Sequence, residues 1–146
     1  MYKFSKSVLI NRSQKDVFDF LRNPANMTRW QSGVEAAEWT STGAPGVGST
    51  YKSLVKIPGS KSEAIFEVTH WDPPYRYGYK SIKLSMPVNI QSSYTLTSAV
   101  QGTQLTFEAQ IEAAGILKIA EGLLGKMAEK GDGSSIETLK QLLEAG

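Results

Sequence analysis

GILKIAEGLLGKMAEKGDGSSIETLKQLLEAG, residues Gly115 to Gly146, is the one long helical pattern in a chain of 146 residues. From Val34 to Ala114 the chain alternates as strands do. A long amphipathic helix after a run of strands needs a sheet to lie on, and a packed core or a ligand cavity then lies between the two. The helix reads in two parts. Ile116, Ala120, Leu123 and Met127 fall on one apolar face, with Leu117, Ile119 and Leu124 beside it. Ile136, Leu139, Leu142 and Leu143 make a second stripe. Met127 to Ile136 is a rotation of about 900° at ~100° per residue, so the two stripes point opposite ways. Gly131-Asp132-Gly133 lies between them, and Ser134 with Glu137 forms a capping box able to restart a helix. The sequence therefore predicts a kink near Gly131 to Gly133. The half before it would face a cavity, and the half after it would anchor on the sheet and the first strand.

Outward from that helix, strand patterns run back to the start. Gln104 to Ala113 sets Leu105, Phe107, Ala109 and Ile111 against Thr106, Glu108, Gln110 and Glu112. Val88 to Thr97 groups Ile90, Ser92, Tyr94 and Leu96. Tyr75 to Leu84 groups Tyr77, Tyr79 and Ser81. Ser62 to Trp71 groups Ala64, Phe66, Val68 and His70, and Asp72-Pro73-Pro74 ends it. Ser49 to Ile57 groups Tyr51, Ser53, Val55 and Ile57, with a turn at Pro58-Gly59. Val34 to Thr42 is a strand of open phase, followed by the turn-forming Gly43 to Gly48. Six strands on short links make an antiparallel meander. Tyr2 to Asn11 adds a seventh strand, with Tyr2, Phe4, Val8 and Ile10 on one face and Lys6 interrupting. Ser13 offers an N-cap to a helix carrying Val17, Phe18, Phe20 and Leu21, which ends before Pro24. A short second helix or turn then ends on Trp30.

Composition narrows the function classes. The chain is 40% hydrophobic and 21% charged, with 16 basic and 14 acidic residues and a net charge of +2. The basic residues form no stripe, so nucleic acid is not an expected partner. With no cysteine and one histidine, thiol chemistry and multi-histidine metal sites are excluded. No cofactor is implied. The first residues lack a continuous apolar run, so no signal peptide is expected. No apolar run nears about 18 residues, so stable membrane insertion is not expected either. The expected location is the cytoplasm, as a monomer or homodimer of one domain spanning residues 1–146.

The inward face is rich in hydroxyls. Tyr51, Ser53, Tyr77, Tyr79, Ser81, Ser92 and Tyr94 stand beside Val55, Phe66, Val68, Leu105 and Phe107, where a solid core favours Leu, Ile and Val. Apolar walls with scattered hydroxyls suit a small-molecule pocket. Tyrosines near strand ends with their hydroxyls in water give the same composition, and both readings stay open. His70 is the one side chain that titrates near neutrality unperturbed, and alternation puts it inward as a weak catalytic candidate; a bulge before it would turn it out. No carboxylate falls on the inferred inward faces, and Ser53, Ser81 and Ser92 have no histidine–acid partner. Trp30, a large aromatic at the end of the short second helix, suits the closing of one end of a core. Gly43 to Gly48 is a lid or an ordinary hairpin turn.

The order strand, two short helices, six strands, long helix resembles the START-like or SRPBCC superfamily. The resemblance rests on Ser7-Val8-Leu9-Ile10 before a capped helix, Val17-Phe18-Asp19-Phe20-Leu21 with Asn23-Pro24 and Trp30, and Gly48-Ser49-Thr50-Tyr51. It continues through Val68-Thr69-His70-Trp71-Asp72-Pro73-Pro74-Tyr75-Arg76, Gly102-Thr103 and Leu139-Lys140-Gln141-Leu142-Leu143-Glu144. The bacterial polyketide cyclase/dehydrase and lipid-transport-like group is the nearest branch. The resemblance implies an α+β helix-grip fold: a seven-stranded antiparallel sheet wrapped around a long C-terminal helix, with two short helices after strand 1. Its members bind lipids, polyketides or other apolar molecules between sheet and helix. The expected partner is accordingly a hydrophobic small molecule. Trp30, Tyr51, Ser53, Val55, Phe66, Val68, Tyr77, Tyr79, Ser81, Ser92, Tyr94 and Phe107 are the expected lining, with Ile116, Ala120, Leu123 and Met127 from the helix. Two rival readings are an aromatase/cyclase-like enzyme working through His70 and the tyrosines, and an interaction module of the chaperone-activator type.

Overall fold

The structure, a computed structural model, describes every residue but Pro58, and the backbone alone of Ile57. Strand β1, Tyr2–Ile10, alternates as read, and Ile10 is fully buried. Ser13 caps helix α1, Gln14–Leu21, by accepting a hydrogen bond from the Asp16 N–H at 3.1 Å. Asn23 caps a 3-10 turn over Pro24–Asn26, which leads into α2, Met27–Trp30. Strands β2 Val34–Trp39, β3 Thr50–Ile57, β4 Ser60–Asp72, β5 Arg76–Lys83, β6 Val88–Ala99 and β7 Gly102–Ala113 follow. Of the expected Pro58-Gly59 turn, Pro58 lies outside the described residues, as does the side chain of Ile57; Gly59 takes φ +74°.

The seven strands form one antiparallel sheet in the order β1-β7-β6-β5-β4-β3-β2. Short links force each new strand beside the last, and β1 closes the row against β7, pairing Tyr2 with Ile111 through Ile10 with Thr103. The sheet curls around the last helix. A 3-10 turn over Gly115–Ala120 leads into α3, Glu121–Ala145, which is the helix-grip arrangement.

Helix α3 corrects two expectations. It runs unbroken through Gly131-Asp132-Gly133, with no kink, and Ser134 is an interior residue whose carbonyl accepts from the Thr138 hydroxyl. Tertiary packing against β1 overrides the weak helix propensity of the glycines. The first apolar stripe also faces the opposite way from the reading. Glu121, Gly125, Ser135, Ile136, Leu139 and Leu143 face in, while Ile116, Leu123 and Met127 face solvent and Ala120 is half-buried. Two contacts fix this rotation. Gly125 lies flat on the Tyr2 ring, where an added Cβ would sit 2.2 Å from Tyr2 Cγ. The Glu121 carboxylate is turned inward to the amino terminus, the Lys118 ammonium at 2.9 Å and the Ala113 N–H at 3.0 Å.

The far half of α3 is held as expected. Ile136, Leu139 and Leu143 join Ile10, Val17, Phe18, Leu96 and Leu105 in a filled core. Arg12 Nη1 donates to the Leu143 carbonyl at 2.9 Å, and the Asn11 N–H donates to Glu144 Oε2 at 2.9 Å. Lys6, the residue interrupting β1, lays its stem beside Gly133 and pairs with Glu137 at 3.2 Å.

Candidate functional site

The filled core stops at the middle of α3, and there a cavity of about 290 Å³ opens between helix and sheet. Its sheet wall comes from Tyr51, Ser53 and Val55 of β3, Phe66 of β4, Tyr79 of β5, and Ile90 and Ser92 of β6. Met27, Gln31, Ser32 and Val34 close the side, and Ala128, Gly131, Asp132 and Ser135 of α3 form the floor. The volume sits at the lower end of the range for small-molecule pockets, about 300 Å³. The helix makes this room with small residues: Gly131 has nothing within 4 Å of where a Cβ would stand.

Three rings dominate the wall. Tyr51 stacks on Phe66 with centroids 5.2 Å apart, and Tyr79 meets Phe66 edge-on at 5.4 Å and Tyr51 at 6.1 Å. Burial raises the Tyr79 phenol to about 12 and pushes Tyr51 and Tyr94 well up, so all three are neutral donors at physiological pH. Tyr51 lies beside Tyr77, and Tyr79 beside Ser92 and Tyr94, so the hydroxyls cluster on one side of the cavity. The Ser135 hydroxyl is occupied by the Ser32 N–H at 3.0 Å.

One polar group stands apart. The Asp132 carboxyl lines the cavity without a hydrogen bond or ion pair among the described residues. Burial alone raises its pKa from 3.8 to about 6, and its charge reaches the Tyr79 and Tyr94 hydroxyls. This corrects the expectation that no carboxylate faces inward. Asp132 is not on a strand, so strand alternation could not find it. The signal was the small-residue run Gly131-Asp132-Gly133-Ser134-Ser135, which opens space beside the helix rather than breaking it.

The other sequence candidates divide. Tyr51, Ser53, Val55, Phe66, Tyr79 and Ser92 line the cavity; Val68, Tyr77, Tyr94 and Phe107 pack in the core behind it. Ser81 accepts from the Ile90 N–H at 2.9 Å and supports the β5–β6 link. Trp30 is buried edge-on to Tyr94 at 6.3 Å, packing rather than lining, and its indole N–H has no partner among the described residues. Ile116, Ala120, Leu123 and Met127 are not in the lining. His70 is exposed, contrary to simple alternation. The ladder shifts register between Val68 and His70, turning His70 outward against Gly78 and bringing Trp71 in to meet Phe18 at 5.4 Å. The Gly43 to Gly48 loop precedes β3 and lines no part of the cavity.

Solved structures share this architecture. TTHA0849 from Thermus thermophilus superposes with a TM-score of 0.80 at 14% identity, covering 98% of this chain and 97% of that one. The Zhui aromatase/cyclase from Streptomyces sp. R1128 gives 0.80 at 15% identity, covering 97% and 93%. Protein CV1439 from Chromobacterium violaceum gives 0.74 at 16% identity, covering 99% of both. At such identities the likeness is one of fold. No curated protein matches the sequence. Residues 1–144 match the family model for polyketide cyclase / dehydrase and lipid transport, and the chain belongs to that family.

Proposed function

We propose that the protein binds a small, apolar, ring-bearing molecule in the cavity, with a hydrogen-bond donor of the ligand meeting Asp132. The observation that carries this is a half-buried carboxyl with no protein partner among the described residues, in a pocket walled by three aromatic rings. Such a carboxyl costs stability unless water or a ligand returns its hydrogen bonds. A ligand hydroxyl or amine would do so while its ring lies against Tyr51, Phe66 and Tyr79. The volume of about 290 Å³ suits one or two rings rather than a long acyl chain.

Native mass spectrometry of freshly purified protein, followed by titration with aromatic alcohols and their hydroxyl-free analogues, tests the reading. Asp132→Asn should weaken the hydroxylated ligand by about tenfold or more, as expected for a hydrogen bond to a charged group, and leave the analogue unchanged. Absence of binding by either series, or equal loss for both, overturns it.

The same carboxyl favours a second reading, proton transfer on a bound polyketide. A group titrating at about 6 can hold and release a proton near neutrality. The enzyme would then work through Asp132 and Tyr79, with His70 uninvolved. Turnover lost in Asp132→Asn and kept in His70→Ala supports this; turnover lost in His70→Ala refutes it.

A further inference from the structure

The apolar residues at the head of the last helix are used by neither core nor cavity. Ile116 is 85% exposed, Ile119 92%, Leu123 65% and Met127 64%. Intervals of three and four put them on one face of the helical run. The β5–β6 link is tied to the start of this run by the Ala114 N–H on the Pro87 carbonyl at 2.9 Å, and Met86 in that link is exposed. Soluble monomers seldom gather so many large apolar side chains in one place without a partner.

Lys126 and Lys130 make no ion pair among the described residues. The sole carboxylate between Ala114 and Ala128 is Glu121, turned inward to the amino terminus and Lys118. Glu129 accepts a hydrogen bond from the Tyr2 hydroxyl, on the side of the helix that packs on β1, and keeps its charge. The face itself is an apolar strip edged by two cations with no ion-pair partner among the described residues. A second copy of the chain would bring like-charged lysines to the same strip. An anionic bilayer offers both halves of the complement: an acyl boundary for the aliphatic side chains and phosphates for the ammonium groups.

We propose that the face formed by Ile116, Ile119, Leu123 and Met127, edged by Lys126 and Lys130, docks the protein on an anionic lipid bilayer. The contact is peripheral, since no helix among the described residues is long and apolar enough to cross a membrane. It stands whether or not the cavity holds a ligand.

Co-sedimentation of the full chain with vesicles tests it, using phosphatidylcholine alone and phosphatidylcholine with phosphatidylglycerol in equal parts. Wild type should partition onto the mixed vesicles, bind the neutral ones less, and release in high salt. Leu123→Ser with Met127→Ser should lower partitioning by about tenfold or more, because the inserted apolar area drives this mode of binding. Both side chains are exposed, so circular dichroism and the melting temperature should not change. Lys126→Glu with Lys130→Glu should abolish the preference for phosphatidylglycerol. No partitioning of wild type, or partitioning unaffected by the Ser pair, overturns the proposal. So does a lipid-free dimer that the Ser pair dissolves, which would assign the face to a second copy, or retention of the stripe by an acidic peptide in preference to vesicles.

Discussion

The two halves of α3 obey different rules. From Ser135 onward the helix buries Ile136, Leu139 and Leu143 against a filled core, as an amphipathic helix should. From Glu121 to Gly133 it inverts that rule, with glycine, alanine and aspartate inward and Leu123 and Met127 outward. The far half gains its free energy from apolar area. The near half gives up apolar area, and it obtains close approach to Tyr2, an anchored terminus and a cavity floor. Fold and site are thus separated along a single helix, one turn apart.

The largest effect should separate the halves directly. Leu139 is 0% exposed, and Leu139→Ala should cost about 2–5 kcal/mol in chemical denaturation. Leu123→Ala, the same change on the exposed face, should stay within about 0.5 kcal/mol. Similar costs at both sites would mean that the near half is rotated from the orientation described.

Asp132 gives the next effect. Its folded pKa of about 6 exceeds the ordinary 3.8, so the folded state binds more protons between those values. Stability therefore falls as pH rises from 3.8 to 6 and stays lower above, by up to about 3 kcal/mol. Asp132→Asn should remove that slope and raise stability at neutral pH, read from melting curves across pH. Glu121 acts in the opposite sense. The amino terminus, then Lys118 and the Ala113 N–H, hold it down to about 2, so its contribution is present above about 4.5 and is lost as pH falls toward 2. Asp132→Asn with an unchanged slope would place the carboxyl in water and remove the polar anchor of the cavity.

This division also decides what the sequence could tell. The six-strand antiparallel meander from β2 to β7 was legible, because alternation and short links leave few topologies, and a long helix with a sheet to cover gave an α+β fold. The seven-stranded helix-grip arrangement came from the family resemblance, and alternation alone did not place β1 beside β7. Six of the lining residues, Tyr51, Ser53, Val55, Phe66, Tyr79 and Ser92, were legible from strand alternation. The near half of α3 was misread because hydrophobic periodicity assumes that apolar faces turn in. Nothing local reveals that Tyr2, well over a hundred residues earlier, occupies the space beside Gly125. At His70 alternation alone pointed inward, and the alternative the sequence also carried, a bulge that turns it out, is the one the structure shows.

The glycines of α3 supply the finest test, since one substitution should act with opposite signs in neighbouring turns. At Gly125 a methyl would stand 2.2 Å from Tyr2 Cγ and 2.4 Å from Cδ1, a collision with a ring that is itself pinned by the Glu129 carboxylate. Gly125→Ala should cost about 1–3 kcal/mol, the usual range for overpacking, and much of that should be recovered in a Tyr2→Ala background, where the ring is gone. At Gly131, one of the residues lining the cavity, the methyl meets nothing within 4 Å. Gly131→Ala should then gain about 0.5–1 kcal/mol through helix propensity and lower chain entropy in the unfolded state. The same methyl occupies volume that a ligand would need, so the more stable variant should bind more weakly in the titrations with aromatic alcohols. A Gly131→Ala protein that is both more stable and undiminished in binding would mean that this part of the floor does not touch ligand. Loss of stability at Gly131 would mean that the helix lies closer to the sheet than a cavity allows.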